Sequence, residues 1–208
     1  MSKIHLVIPD THAHPNFHNK RAEWLGKLIN DVKPDVVIHL GDSADMPSLS
    51  SYDRGTKAFQ GRRYADDINA HLDFNYRLWD IVRASKKRLP ERYFLEGNHE
   101  HRIKKAINIQ PELEGAISFD DLDLERFYDH IIEYNGRSPG VVSVDGISYA
   151  HFFISGVMGK AIGGAHPAYS ILAKGHGSAT AGDLHLLSYE CQTGIGGKRL
   201  QGLVAGCY

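Results

Sequence analysis

The sequence predicts an α/β fold built around an open sheet, and two observations carry that expectation. Strand-like apolar runs alternate with segments of helical periodicity along the 208 residues. Motifs of metal-binding residues also recur after apolar stretches: Asp10-Thr11-His12, Gly41-Asp42, Gly97-Asn98-His99-Glu100, His151 and Asp183-Leu184-His185. Strands finishing at one edge of an open sheet would deliver these motifs to one crevice, where such sheets place their ligands.

Ile4-His5-Leu6-Val7-Ile8 reads as the first strand, closed by Pro9-Asp10. Asn19 can cap a helix in which Trp24, Leu25, Leu28, Ile29 and Val32 form one apolar stripe, stopped before Pro34. Val36-Val37-Ile38-His39-Leu40 is almost continuously apolar, as in a central strand covered on both faces. From Arg63 to Arg88, the residues Ile68, Leu72, Tyr76, Trp79 and Val82 recur at helical spacing, and their aromatics are assigned to the core. Arg92-Tyr93-Phe94-Leu95-Glu96 forms a third strand. The stretch from His101 to Tyr134 is expected to be helical, interrupted at Pro111 and Gly115. Its acidic group, Asp120, Asp121, Asp123 and Glu125, reads as a solvated helix start rather than a metal site.

Val141 to Val144 and Ile147 to His151 flank Asp145-Gly146, a dipeptide that supplies the positive φ angles of a tight hairpin. His151 then falls at or just past the end of the second strand. Gly156 to Gly177 is expected to be a long glycine-rich loop around a short helix at Ala168 to Ala173. The apolar ending from Gly202 to Tyr208 is read as a last strand at which the chain stops abruptly.

Length suits a single domain over residues 1–208, with a helical insertion around 54–90 and a helical segment around 101–134. The formal charge of −1 provides no global field for nucleic acid or membranes, so partner arguments rest on local patches. Of the thirteen histidines, three or four are expected to be ligands. Cys191 and Cys207 lack the spacing of a zinc knuckle and are too few for a disulfide framework. With neither a secretory h-region nor a membrane-length apolar run, the expectation is a soluble cytoplasmic protein without a membrane partner.

Asp10-x-His12 offers a carboxylate oxygen and an imidazole nitrogen, a pair that suits Mn, Fe, Zn or Ni. Gly41-Asp42-x-x-Asp45 adds a carboxylate whose two oxygens can each bind a different ion, which is how paired cations are held about 3.5–4 Å apart. At residue frequencies of about 5% each, Gly97-Asn98-His99-Glu100 would arise by chance in about one chain in a thousand of this length. Asn98 can give a neutral amide oxygen to a metal, leaving His99 free to act on a substrate. His99-Glu100-His101 lacks the His-Glu-x-x-His spacing of a zinc protease.

Together these motifs, with the late His-containing pair, resemble the calcineurin-like metallophosphoesterase family over Ile4 to about Tyr189. Gly175-His176-Gly177-Ser178 and Glu100-His101-Arg102 look most like its bacteriophage-encoded branch, which would place the protein in a host cytoplasm. The resemblance implies a two-sheet sandwich flanked by helices, with a dinuclear site at the C-terminal ends of strands. It implies one metal on Asp10, His12, Asp42 and His185, and a second on Asp42, Asn98, His151 and position 183. The activity implied is hydrolysis of phosphomonoesters or phosphodiesters: a bridging hydroxide attacks phosphorus, and His99, oriented by Asp45, protonates the leaving oxygen.

One position departs from the family pattern. Gly182-Asp183-Leu184-His185 stands where Gly-His-x-His is usual, giving three ligand carboxylates instead of two. With two divalent ions and one hydroxide, the net charge of the centre falls from +1 to about 0, weakening its pull on phosphate oxygens. Lower phosphatase activity, or a preference for Mn²⁺ over Zn²⁺, is expected. Alternatively Asp183 points away, leaving the second site weak or filled by His176.

Gly136-Arg137-Ser138-Pro139-Gly140 matches a nucleophile elbow but precedes a hairpin, and Gly159-Lys160 lacks the rest of a P-loop. Basic residues cluster at Arg54, Lys57, Arg62 and Arg63, at Arg83, Lys86, Lys87 and Arg88, and at Arg102, Lys104 and Lys105. Arg62, Arg63 and Arg102, with His176, are the candidate substrate-binding residues. No interleaved aromatics suggest a base-stacking platform, so a metal-dependent nuclease is the alternative reading rather than the preferred one. A catalytically weakened metal-binding scaffold is the non-enzymatic alternative. Oligomeric state is not encoded in any motif.

Overall fold

The computed structural model describes residues 3–85 and 88–208 and shows four layers. The first sheet is parallel, with strands β1 (His5–Ile8), β2 (Val36–His39), β3 (Glu91–Leu95) and β4 (His130–Ile132) in that spatial order. The second sheet contains β5 (Val141–Val144), β6 (Ile147–Ala150), β9 (Ala179–Ala181), β10 (Leu187–Thr193) and β11 (Arg199–Ala205), ordered β10-β11-β9-β6-β5. Between β6 and β9 lie a two-stranded arm, β7 (Ile154–Ser155) and β8 (Lys160–Ala161), and helix α4 (Pro167–Gly175). The remaining helices are α1 (Lys20–Val32), α2 (Tyr64–Ala84) and α3 (His101–Ile109).

Side-chain alternation along β2 explains the layering. Val36, Ile38 and Leu40 pack with Leu95 against Val144, Tyr149 and Ala150 of the second sheet. Val37 and Phe94 point the other way and join the core under α1 and α2, with Ile29, Phe74, Leu78 and Trp79. The outer face of the second sheet, Ala179, Ala181 and Val204, is covered by Ile171 of α4 and by Ile162. Both faces of the sheet are therefore dry at β2, which accounts for its nearly continuous apolar run.

Several elements depart from the sequence expectation. The buried face of α1 is Ala22, Leu25, Gly26 and Ile29, whereas Trp24, Leu28 and Val32 are exposed. Gly26 decides this rotation, because a Cβ there would meet the Leu78 carbonyl oxygen at 2.7 Å, so α2 approaches on the glycine side. Asn19 precedes α1 but its side chain does not cap it, donating instead to the Ala70 carbonyl and to Asp73. Helix α2 ends at Ala84, and Lys86 and Lys87 lie outside the described residues. Of its expected aromatics, Trp79 is fully buried and Tyr76 is half-buried against the same core, which Phe74 joins.

The stretch from His101 to Tyr134 contains only nine residues of α-helix, followed by short 3₁₀ turns and by β4. Asp120 and Asp121 do lie in the first turn of one 3₁₀ segment, capped by Ser118. β4, β9 and β10 were not expected; two are only three residues long, too short to show a period, and β10 is an edge strand. The hairpin at Asp145-Gly146 forms as expected, with φ of 49° and 82°. The last strand begins earlier than expected, at Arg199, and ends at Ala205.

A polar network crosses the helical side of the core. His71 on α2 lies 3.2 Å from the Ser43 hydroxyl through Nδ1 and 3.1 Å from the Leu122 carbonyl through Nε2. The carbonyl can only accept, so Nε2 carries the proton and Nδ1 accepts from Ser43. Tyr128 donates to the Asn75 amide oxygen at 3.0 Å. His39 accepts from the Gly41 amide and faces Thr11. Burial pushes His39 down to about 3 and His71 down to about 4, so both are neutral near pH 7. The network ties the loop after β2 to α2.

Candidate metal centre

The C-terminal ends of β1, β2, β3, β6 and β9 meet at one crevice. β1 leads to Asp10 and His12, β2 to Asp42, β3 to Asn98 and His99, β6 to His151, and β9 to Asp183 and His185. Three glycines let these loops touch. A Cβ on Gly97 would lie 2.2 Å from the Asp42 amide nitrogen, one on Gly41 would meet Gly97 at 2.6 Å, and one on Gly182 would meet Asp10 Oδ1 at 2.6 Å. His12, Asp42, Asp183 and His185 all have positive φ, between 43° and 64°. Asp and His tolerate this left-handed region better than most residues, and such strain concentrates where side chains must be aimed.

Glu100 staples two of the loops. Its fully buried carboxylate accepts from the amides of Asp42 (3.0 Å), Gly97 (2.9 Å) and Ala44 (2.8 Å). Sequence reasoning placed Glu100 in a motif but not in this role; its position at the start of a helix after a metal-type residue was the available signal. Arg21 was missed altogether. Its guanidinium donates to the carbonyls of Thr11, His12 and Tyr208 and so holds the Asp10–His12 loop.

Two groups of donor atoms result, each within 4.8 Å internally: Asp10 with His12 and His185, and Asp42 with His151 and Asp183. Asp42 also groups with His12 and His99, so it stands between the two. Asn98 lies against the second group, its side chain 2.8 Å from His151 Nε2 and 3.0 Å from Asp183 Oδ1. His151 Nδ1 is 2.8 Å from the Leu40 carbonyl, to which it must donate, so Nε2 turns its lone pair inward. There it meets Asp42 Oδ1 at 3.4 Å and Asp183 Oδ1 at 3.5 Å. In the other group, Nε2 of His12 and Nε2 of His185 face each other at 2.9 Å, and His185 Nε2 is 3.4 Å from Asp10 Oδ2. Asp10 Oδ1 is buried with no hydrogen-bond partner among the described residues. Lone pairs converging on lone pairs are unfavourable unless a cation lies between them, so these residues fit divalent metals.

The electrostatics agree. Burial raises the Asp10 carboxyl to about 7, and Asp42 adds to the rise. At Asp42 burial opposes ionisation, but His151 and His99 override it and hold the carboxyl below the usual range. Burial likewise opposes protonation of His151, yet Asp42 and Asp183 push it well upward. Asp183 thus faces the second group, and its amide also donates to Asp10 Oδ2 at 2.8 Å. The outward-pointing alternative for this residue is not what the structure shows.

Asp45 and His99 sit at the rim. Asp45 Oδ1 lies 3.2 Å from His12 Nδ1 and 3.4 Å from His99 Nδ1, while the Asp45 backbone carbonyl is only 2.6 Å from His99 Nδ1. Asp45 thus lies against His99 as expected of an orienting residue, with its backbone carbonyl making the closer contact and its carboxylate shared with His12. Arg102 donates to His99 Nε2 at 2.9 Å and to the carbonyls of Asp45 and Met46.

Of the candidate substrate residues, Arg102 alone contacts the centre. Arg62 pairs with Asp53 at 2.7 Å and bonds the Pro47 carbonyl, and Arg63 is exposed just before α2. His176 caps the C-terminus of α4, before β9, whereas the crevice lies beyond the other end of that strand. A strand's length separates His176 from Asp183, which rules it out as a replacement ligand in this arrangement.

Fold and donor geometry define a two-sheet α/β scaffold with a candidate metal centre at its strand ends. The chain belongs to the calcineurin-like phosphoesterase family, whose model matches residues 5–198. A 67-residue stretch is 39% identical to the Gene 54 protein of Mycobacterium phage L5, covering 32% of this chain and 26% of that protein. The chain thus aligns with about a quarter of that relative's length. No helix among the described residues is long and apolar enough to cross a membrane.

Proposed function

We propose that the protein is a dinuclear metal phosphoesterase that hydrolyses phosphomonoester or phosphodiester bonds. The observation that carries this reading is Asp42, a buried carboxylate standing between two groups of converging imidazole and carboxylate donors. One cation would be held by Asp10, His12, His185 and Asp42, and the other by Asp42, Asn98, His151 and Asp183. When bound, such cations acidify water to supply the nucleophile and neutralise charge developing on the phosphoryl oxygens.

The chain's own groups do the rest. Leu40 fixes the tautomer of His151 through Nδ1, and the Asp45 carboxylate lies 3.2 Å from Nδ1 of His12, so each ring turns Nε2 toward the centre. His99 serves the leaving oxygen through Nε2, with its Nδ1 proton held by the Asp45 carbonyl. Arg102 occupies that Nε2 now; a guanidinium cannot accept, so it must turn toward a substrate oxygen before His99 can carry the proton there. Asp183 adds a third carboxylate and makes the loaded centre one unit less positive than a histidine would, which favours Mn²⁺ over Zn²⁺.

Hydrolysis of bis-nitrophenyl phosphate and nitrophenyl phosphate, lost in EDTA and restored by Mn²⁺, is the expected result. His99→Ala should slow an alkyl phosphate on the order of 100-fold or more while sparing nitrophenolate release. No hydrolysis with Mn²⁺, Fe²⁺, Ni²⁺ or Zn²⁺ would reject the enzyme, and equal losses on both leaving groups would reject the acid.

A further inference from the structure

Two grooves open at the rim of the metal centre, and their charges differ. One, beside His14, is lined by Arg62 and Arg63 but also by Asp66 and Asp67, so its fixed charges cancel. The other starts at Asn98 and runs past Arg102 and Lys105 to Arg54, Tyr52 and Ile109; its lining contains no carboxylate. Arg102 and Lys105 stand one turn apart on the same face of α3, with Ile109 one turn further. Arg54 and Lys105 are exposed and make no ion pair among the described residues. Tyr52, 87% exposed, adds an aromatic face beside Arg54.

We infer that this second groove carries a single strand of nucleic acid, so that the bond presented to the metal centre is an internucleotide phosphodiester. The inference rests on the phosphoesterase reading and narrows its substrate class. Three cations without a counter-charge suit a polyanion rather than one phosphate, since a single phosphate at the metals would need none of Lys105, Arg54 or Tyr52. Tyr52 supplies the stacking platform that the sequence, read linearly, did not reveal. A base can rest on its ring while neighbouring phosphates meet Arg54, Lys105 and Arg102.

Binding of a fluorescein-labelled ten-nucleotide single strand to the full chain tests this by fluorescence anisotropy, first in EDTA to prevent turnover and then with Mn²⁺. Wild type should lose affinity with salt at a log–log slope of about −2, from three phosphate contacts at roughly −0.7 each. Arg54→Gln with Lys105→Gln should weaken binding at least tenfold and reduce the slope to about −0.7. Tyr52→Ala should weaken the oligonucleotide at least fivefold and leave inorganic polyphosphate unchanged. Binding and slope unaltered in the double variant would overturn the groove's role. Polyphosphate bound as tightly as the oligonucleotide, with no effect of Tyr52→Ala, would overturn nucleic acid as its occupant. Hydrolysis of bis-nitrophenyl phosphate by the same wild-type preparation reports separately on the metal centre, so failure of the groove and failure of the phosphoesterase reading are distinguishable.

Discussion

The two halves of the metal centre are built to different standards. In the half formed by Asp42, Asn98, His151 and Asp183, His151 is fully buried and its ring is locked by the Leu40 carbonyl. In the half formed by Asp10, His12 and His185, the His185 side chain is 48% exposed, and a backbone φ of 51° aims it. Asp42 belongs to both, and Glu100 holds its loop through the amides of Asp42 and Ala44. The buried half is preorganised by the sandwich core, whereas the other half keeps one exposed ligand, His185. Preorganised ligands lose less freedom on binding, so the buried half should fill first.

Truncating each half breaks or sharpens this contrast. His151→Ala should lower affinity for the first metal equivalent on the order of 100-fold or more, whereas His185→Ala should chiefly weaken the second equivalent, roughly tenfold. Titration calorimetry with Mn²⁺ separates the two equivalents, and identical effects of both substitutions would remove the distinction between the halves.

The polar network on the helical side of the core should lose stability in acid. His39 and His71 have folded values of about 3 and about 4, below their ordinary 6.5. Their contribution is fully present above pH 6.5 and is lost as pH falls toward 4 and then 3, because the unfolded chain takes up the protons. For His71 this is on the order of 3 kcal/mol at most. Urea unfolding between pH 7 and 4 should show that decline, and His71→Gln should flatten it by about 1–2 kcal/mol. A variant as acid-sensitive as wild type would mean that His71 does not carry the effect.

The smallest expected effect is at Asp183. Asp183→His restores a positive unit, so the ratio of turnover with Zn²⁺ to that with Mn²⁺ should rise several-fold. An unchanged ratio and rate would show that this carboxylate does not tune the centre.

What the sequence revealed follows the same division. The nearly continuous apolar run before Asp42 marked a central strand, because a strand dry on both faces leaves few polar positions to blur its pattern. The Gly97-Asn98-His99-Glu100 string marked its loop because four neighbouring residues all face one small volume. β9 was invisible, since Ala179-Thr180-Ala181 is three small residues whose strand character comes only from its neighbours β6 and β11. The exposed stripe of α1 was misread because Trp24 and Leu28 look apolar, while the contact that orients the helix is made by Gly26. Arg21 lies only nine and ten residues from His12 and Thr11, but it meets their backbone carbonyls, which no side-chain motif marks; Tyr52 shares a groove with Asn98 across a long sequence separation that no local spacing encodes.

Manganese-loaded protein examined by electron paramagnetic resonance tests the shared role of Asp42 most directly. The account predicts two Mn²⁺ per chain with an exchange-coupled spectrum, lost in Asp42→Ala. Two uncoupled six-line signals, or binding that saturates at one equivalent in the wild type, would contradict it.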